Sequence, residues 1–213
     1  MIPLPRPRAH DLLRVRGASS LIAHAGVPVW VEEALGQVPW VVVRRANGAG
    51  STLAIGVRGA RREQRFGALV PLDEMDACVT PEQLATKGAW CGNARCSEIP
   101  ALQALDAIAG IMNAAGLRWG PTGSVGFELA SGVATATTVS DLDLLVRAPL
   151  PLPHLAARAL VSELARLPVR TDVQVETPHG AVALTEIARG EDRFLLRTEY
   201  GPRLVADPWT VHP

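Results

Sequence analysis

Two aspartates separated by a single leucine, Asp141 and Asp143, run into an apolar segment of the sequence. Residues two apart in a β-strand project from the same face, so we expect these carboxylates side by side, ~6.5 Å apart at the backbone. Like charges at this spacing repel each other, and a divalent cation relieves that repulsion. Hard ions such as Mg²⁺ bind carboxylate and phosphate oxygens. The pair therefore predicts a metal site for Mg²⁺, with Mn²⁺ as the alternative ion.

A third carboxylate, Asp172, lies in the later segment "RTDVQVET", where it shares a predicted strand face with Gln174 and Glu176. If that strand pairs beside the Asp141 strand, Asp172 completes a cluster of three catalytic metal ligands. Two metal ions ~4 Å apart could then hold the attacking and leaving oxygens of a phosphoryl transfer. The alternative is that Asp172 and Glu176 line the solvated face of an amphipathic strand, and for Glu176 we favour that interpretation.

A Gly-Ser pair, Gly123 and Ser124, precedes the aspartates and falls between a predicted strand and a predicted helix. Such a turn presents backbone N–H groups and a hydroxyl, which together suit a phosphate of the substrate. Neither Gly-Ser nor Asp-x-Asp is specific by itself. The order of strand, Gly-Ser, helix and Asp-x-Asp strand is more specific, and it predicts metal-dependent phosphoryl chemistry.

This order resembles the nucleotidyltransferase superfamily, whose polymerase-β-like palm carries "GS" before "D-x-D", over roughly residues 97 to 178. The resemblance implies a mixed sheet flanked by helices and transfer of a nucleotidyl group with loss of pyrophosphate. Its motif falls on Gly123, Ser124, Asp141 and Asp143, and less directly on Asp172. One departure is the interval of sixteen residues between Ser124 and Asp141, which is longer than usual for the superfamily.

A narrower resemblance covers most of the chain. The segments "GPTGSVGFELASG", "SDLDLLVRAP" and "DVQVETPHGAVALTEIAR", with "RPRAHDLL" and "GVRGARREQR", are similar to the malonate decarboxylase holo-acyl carrier protein synthases, which are phosphoribosyl-dephospho-CoA transferases. The resemblance implies triphosphoribosyl-dephospho-CoA as donor and a serine of the apo acyl carrier protein subunit of malonate decarboxylase as acceptor. Two alternatives stay open: a nucleotidyltransferase that uses an ordinary NTP to adenylylate a protein, and a non-catalytic carrier-binding protein.

The pattern of apolar and turn-forming residues predicts an α+β protein. We expect an N-terminal β-rich domain over 1–92 and a palm-like catalytic domain over 93–213. In the first domain we expect strands over 38–46 and 53–59, a basic loop from Ala60 and a helix after Thr80. In the second, periodicity predicts helices over 97–116 and 152–167 and a strand over 139–148. Three further strands are expected after Pro168, in "VRTDVQVETP", "AVALTEIAR" and "RFLLRTEYG".

The net charge limits the classes of binding partner that we expect. The chain has 21 basic and 21 acidic residues, so no global field attracts nucleic acid or an anionic membrane. Four arginines nevertheless fall within eight residues, and we expect Arg58, Arg61 and Arg62 to bind the triphosphate or an acidic carrier protein. The alternative for this cluster is a solvated loop. No apolar run suits a signal peptide or membrane helix, and three cysteines cannot all pair, so we expect a reduced, cytoplasmic protein.

Overall fold

Two hydrophobic cores, one on each side of the Thr80–Pro81 junction, organise the chain in the computed structural model, which describes residues 6–48, 50–61 and 63–210. The structure places the boundary twelve residues before the expected one at 92/93. The reason is the segment 81–92, which holds a helix that packs on a strand of the second unit. Trp90 is also buried in the second core.

The first unit is an antiparallel five-stranded sheet in the order β4-β3-β2-β1-β5, with one α-helix among its described residues. Its elements are β1 (Leu12–Val15), α1 (Val29–Gln37), β2 (Trp40–Val43), β3 (Thr52–Arg58), β4 (Arg65–Pro71) and β5 (Met75–Val79). The β2 and β3 strands were predicted. The basic loop was predicted too long, because Phe66, Ala68 and Val70 alternate inward and make a strand from Arg65 onward. Neither β1, α1 nor β5 was predicted individually.

The second unit has a six-stranded mixed sheet in the order β11-β10-β9-β8-β7-β6, in which only β7 and β8 are parallel among the described strands. Its elements are α2 (Pro81–Thr86), α3 (Pro100–Gln103), α4 (Leu105–Ala114), β6 (Arg118–Pro121), α5 (Gly123–Ser131), β7 (Leu142–Arg147), α6 (His154–Leu164), β8 (Thr171–Thr177), β9 (Gly180–Ala183), α7 (Leu184–Arg189), β10 (Phe194–Thr198) and β11 (Gly201–Val205). Two sheets with helices confirm the α+β class.

The two faces of the six-stranded sheet differ in polarity. One face carries the buried side chains of Leu144, Val146 and Val175, which cluster with Ile108 of α4 and Leu160 of α6. The opposite face carries acidic, basic and amide side chains, because strand residues alternate between faces. The predicted site residues of β7 and β8 therefore belong to the polar face.

Two predicted elements have different boundaries. The helix expected over 97–116 is divided at Ala104 into α3 and α4. The strand expected in "AVALTEIAR" ends at Ala183, and Leu184–Arg189 is helical because Leu184 and Ile187, three residues apart, both bury themselves in the core. Within the described part of the chain, none of the helices has the length and apolarity needed to span a membrane.

Candidate active site

The Gly-Ser turn and the Asp-x-Asp segment meet at one end of the sheet. Strand β6 is antiparallel to β7 with Pro121 opposite Leu144, so the end of β6 lies beside the start of β7. The amide of Thr122 donates a hydrogen bond of 2.8 Å to the carbonyl of Asp143. Helix α5 begins at the next residue, Gly123. The chain therefore brings the start of a helix, whose backbone N–H groups can bind a phosphate, directly next to a carboxylate.

Gly123 is required by this approach. Its φ of 59° is in the left-handed region, and a Cβ built there would overlap Oδ2 of Asp143. The half-buried Asp143 carboxylate thus rests against the Cα of the first residue of α5, where the helix presents the positive end of its dipole. The glycine of the Gly-Ser pair is explained by this contact.

Asp143 and Asp172 are neighbours across the parallel pair. The register of β7 with β8 places Asp143 opposite Asp172 and Leu142 opposite Thr171. The prediction that these two strands pair is confirmed, and the two aspartates lie on the same face of strands ~4.8 Å apart. Val173, the next residue on β8, points to the apolar core. The polar face at this end of the sheet therefore presents two carboxylates.

Asp141 lies outside the strand, although the sequence predicted a strand over 139–148 that would include it. Residues before Leu142 form a turn in which the Ser140 amide donates to the Thr137 carbonyl at 3.0 Å, so β7 begins one residue after Asp141. The Asp141 carboxylate is exposed, and its Oδ2 lies 3.7 Å from Nη1 of the exposed Arg170. Among the residues that the structure describes, no three His, Cys, Asp or Glu side chains are grouped to hold a metal ion. The three aspartates are therefore near one sheet end without converging.

The long interval between Ser124 and Asp141 is an ordered loop fastened to α5. The carboxylate of Glu128, which is 3% exposed, accepts hydrogen bonds of 2.9 Å from the amides of Thr135 and Ala136. Arg95 donates to Glu128 at 2.6 Å and to the Ala136 carbonyl at 2.8 Å. The Thr135 hydroxyl also donates to the Ser124 carbonyl at 2.7 Å. These bonds were not anticipated, although an acidic residue in the apolar stretch "GSVGFELAS" was a signal for them.

Ser124 links the helix start to the residue before Asp141. Its hydroxyl donates to the Ser140 hydroxyl at 3.5 Å, and the Thr137 amide donates to that same Ser140 oxygen at 2.9 Å. Ser124 is almost fully buried. Its side chain thus orders the approach to the Asp-x-Asp segment, and its amide belongs to the first turn of α5.

Glu176 is not a solvated residue. Its carboxylate lies 3.6 Å from Nη1 of Arg147, whose Nε lies 3.1 Å from Glu82 of α2. The Arg147 side chain is buried, so this triad of charged residues joins α2 to the polar face and is not part of a solvated surface. The interpretation of Glu176 as solvated was therefore wrong.

The predicted arginines belong to the first unit. Arg58 is the last residue of β3, and Arg61 lies in the turn to β4, where its amide donates to the Gln64 side chain at 2.9 Å. Both are exposed. Arg62 lies outside the described residues. This hairpin belongs to the first unit, and its binding of substrate stays a prediction.

Comparison with known proteins adds a relationship over almost the whole chain. Models of the N-terminal and C-terminal domains of phosphoribosyl-dephospho-CoA transferase MdcG match residues 8–81 and 89–208. Curated proteins named phosphoribosyl-dephospho-CoA transferase are similar: one from Pseudomonas putida is 46% identical over 205 residues, covering 96% of each chain. Others from Pseudomonas aeruginosa and Azotobacter vinelandii are 43% and 44% identical, covering 96% and 95% of this chain and 95% and 94% of their own. No solved structure matches.

Proposed function

The chain belongs to the phosphoribosyl-dephospho-CoA transferase family and is a transferase, and from this premise we propose a donor, an acceptor and a site. The donor is triphosphoribosyl-dephospho-CoA. The acceptor is a serine of the apo acyl carrier protein subunit of malonate decarboxylase, and the second product is pyrophosphate. The observation that carries the proposal is the Asp143 carboxylate held against the start of α5 and in register with Asp172.

The phosphates of the donor bind at the Gly-Ser turn. The first N–H groups of α5 have no carbonyl of their own helix to bond, and they favour a negatively charged ligand. The close approach of Gly123 to Asp143 puts that ligand next to the carboxylates. Ser124 keeps the loop after α5 in place through its bonds to Thr135 and Ser140. A polymerase-β-like palm is the arrangement we propose for this unit.

The carboxylate pair suits a divalent cation. Two carboxylates plus substrate phosphates are a usual set of ligands for Mg²⁺, and Mn²⁺ accepts the same oxygens. Asp143 and Asp172 would hold the ion together with Asp141, and the bound ion would neutralise charge on the departing pyrophosphate. This role requires Asp141 to exchange its exposed contact with Arg170, which an exposed pair at 3.7 Å permits at little cost in free energy.

The transfer itself is a substitution at phosphorus. The acceptor serine oxygen forms a bond to the α-phosphorus of the donor, and the bond from that phosphorus to the pyrophosphate oxygen breaks. The serine proton passes to the Asp172 carboxylate, which is exposed at the polar face. The product is a phosphodiester that joins the prosthetic group to the carrier.

Mass spectrometry of the carrier tests the proposal. Purified apo carrier is incubated with enzyme, Mg²⁺ and donor, and we expect a mass increase equal to the donor less pyrophosphate. The variants Asp143→Asn and Asp172→Asn should slow transfer by about 10³-fold, since the site loses charge where the phosphates react. Asp192→Asn, an exposed acid between α7 and β10, is the matched control and should keep full activity. Near-normal transfer by Asp143→Asn would refute the site.

Protein adenylylation is the alternative function, because the same carboxylates and Gly-Ser turn serve an ordinary NTP equally well. Incubation with labelled ATP and the carrier, without the dephospho-CoA derivative, separates the two. Strong transfer of label from ATP would favour the alternative.

A further inference from the structure

The electrically neutral chain is divided in charge between its two units. Residues 1–80 contain ten arginines against seven acidic residues, whereas residues 81–213 contain eleven basic against fourteen acidic ones. The acidic excess includes the carboxylates of the candidate site. The basic excess of the first unit has no part in the chemistry described above, which raises the question of what it binds.

One face of the five-stranded sheet collects much of this charge. The core side of the sheet carries one fully buried residue on each of β1 to β4: Leu13, Val41, Ile55 and Val70. The residues next to them along each strand therefore project from the opposite face. The strand registers pair Arg14 with Trp40 and Arg58 with Arg65. Continuing the β2–β3 register by two residues places Trp40 opposite Arg58. A single row across β1, β2, β3 and β4 therefore runs Arg14, Trp40, Arg58, Arg65.

A fourth arginine lies flat on the same face. The side chain of Arg44, which follows β2, crosses the paired glycines Gly56 and Gly67 of β3 and β4. A Cβ at Gly67 would overlap Nη1 of Arg44, and a Cβ at Gly56 would lie 3.4 Å from its Cδ. The two glycines thus form a shallow channel for the Arg44 side chain, and its guanidinium lies two residues along β4 from Arg65. We call Arg14, Arg44, Arg58, Arg65 and Trp40 the arginine face.

Most strand positions around the arginine face are uncharged. Asp76 of β5 lies at the register shift beside Arg14 and pairs with Arg16 at 3.5 Å. The other paired positions on this face are apolar or neutral: Leu12, Val42, Thr52, Ala54, Gly56, Gly67, Leu69, Pro71, Ala77 and Val79. All four arginines are exposed. Several exposed guanidinium groups on one surface attract an anionic partner.

We propose that the arginine face is the docking surface for the acceptor protein, and that it binds an acidic surface of that protein. The inference rests on the proposed function, since it supplies the contact through which the carrier reaches the transferase. The row spans three strand spacings, ~14 Å, which exceeds the size of a phosphate group and suits a protein surface. Trp and Arg together are the residue types that most often dominate binding at protein interfaces.

Charge reversal on this face tests the proposal. Arg14→Glu/Arg44→Glu changes two arginines that have no part in the donor site proposed above. We expect the KM for the apo carrier to rise by about tenfold or more, with kcat at saturating carrier unchanged. The Kd for the donor alone, measured by calorimetry, should stay the same. The control is Arg158→Glu/Arg193→Glu, which makes the same change in net charge at exposed positions of the second unit and should leave all three constants unchanged.

The outcomes are distinct. An unchanged carrier KM in a folded Arg14→Glu/Arg44→Glu variant overturns the docking surface while the transferase function stands. A weaker donor Kd with unchanged carrier KM also overturns it and assigns the face to the donor. Absence of any mass shift with the wild-type enzyme refutes the proposed function and the docking surface together. If the double variant does not fold, Arg14→Gln/Arg44→Gln and the salt dependence of the wild-type carrier KM replace it, and a KM insensitive to salt overturns the proposal.

Discussion

Two glycines at opposite ends of α5 show how one residue type serves different purposes. Gly123 and Gly132 both have left-handed φ values, of 59° and 75°. Gly132 ends the helix, and a Cβ there would meet no heavy atom within 4 Å. Gly123 begins the helix, and a Cβ there would overlap the Asp143 carboxylate. At the residue scale, only Gly123 connects backbone conformation to the candidate chemistry.

Replacing each glycine by alanine separates these purposes. Both Gly123→Ala and Gly132→Ala should lower the free energy of unfolding by about 1–3 kcal/mol, because alanine is strained at positive φ. Only Gly123→Ala should also abolish transfer, since its methyl group displaces Asp143. Denaturant unfolding and the carrier mass shift measure the two effects. Full transfer by folded Gly123→Ala would show that the Asp143 position is not critical.

The cysteines differ in predicted reactivity. Burial, with a smaller contribution from Asp11, raises the pKa of Cys78 to about 11, although Arg8 opposes the shift. Burial and then Asp106 also raise the pKa of Cys96. All three cysteines are free, and Cys91 is exposed.

Alkylation should therefore follow a fixed order. The thiolate is the reactive form, so at pH 8 Cys78 is almost entirely protonated and should react with iodoacetamide after Cys91. Its rate should increase only as the pH approaches 11. Peptide mass spectrometry after timed labelling measures the order, and urea-unfolded protein, in which all three thiols should react at similar rates, is the control. Early labelling of Cys78 at pH 8 in the folded protein would contradict the assignment.

At the scale of elements, the loop between α5 and β7 depends on one buried carboxylate. Glu128 accepts from two loop amides and from Arg95, which also holds the Ala136 carbonyl. The loop then leads through Ser140 to Asp141. A change at Glu128 therefore alters the approach to the site without touching any substrate-binding group.

Glu128→Gln should both destabilise the protein and slow transfer. Loss of the charge leaves Arg95 without its carboxylate and replaces one acceptor by a donor, at a cost of about 3–5 kcal/mol for a broken buried ion pair. The control Glu163→Gln removes an exposed pair with Arg166 and should cost about 0–1 kcal/mol. Thermal and denaturant unfolding measure the difference. Equal costs for the two variants would mean that Glu128 does not hold the loop.

At the scale of the whole molecule, each unit has its own buried apolar cluster. Ile55 is fully buried in the first cluster and Ile108 in the second. The match to the N-terminal domain model ends at residue 81, and the match to the C-terminal domain model begins at residue 89, close to this division. The stability of each unit therefore depends on contacts made within it.

A cavity in one core should loosen that unit first. Ile55→Ala and Ile108→Ala should each cost about 2–5 kcal/mol, because they remove buried methylene groups and leave a void. Hydrogen exchange should show lost amide protection before residue 80 for Ile55→Ala and after residue 81 for Ile108→Ala. The two variants serve as each other's control, and identical exchange patterns would argue for a single cooperative unit.

Features that depend on near neighbours in the chain could be predicted from the sequence. Alternating apolar residues predicted β3, β7 and β8, and helical periodicity predicted α6. The resemblance of several short segments indicated the family, which the comparisons confirm. The strand and helix patterns are local properties, because they follow from the side-chain period of a strand or a helix.

Which distant residues meet followed from the packing of the folded chain and could not be predicted from the sequence. This packing placed Asp172 opposite Asp143, began β7 only after Asp141, and paired Arg95 with Glu128, 33 positions apart. It also buried Trp119 beside Trp90. Strand register and buried ion pairs are set by the packing of the whole core, and no short window of sequence contains both partners.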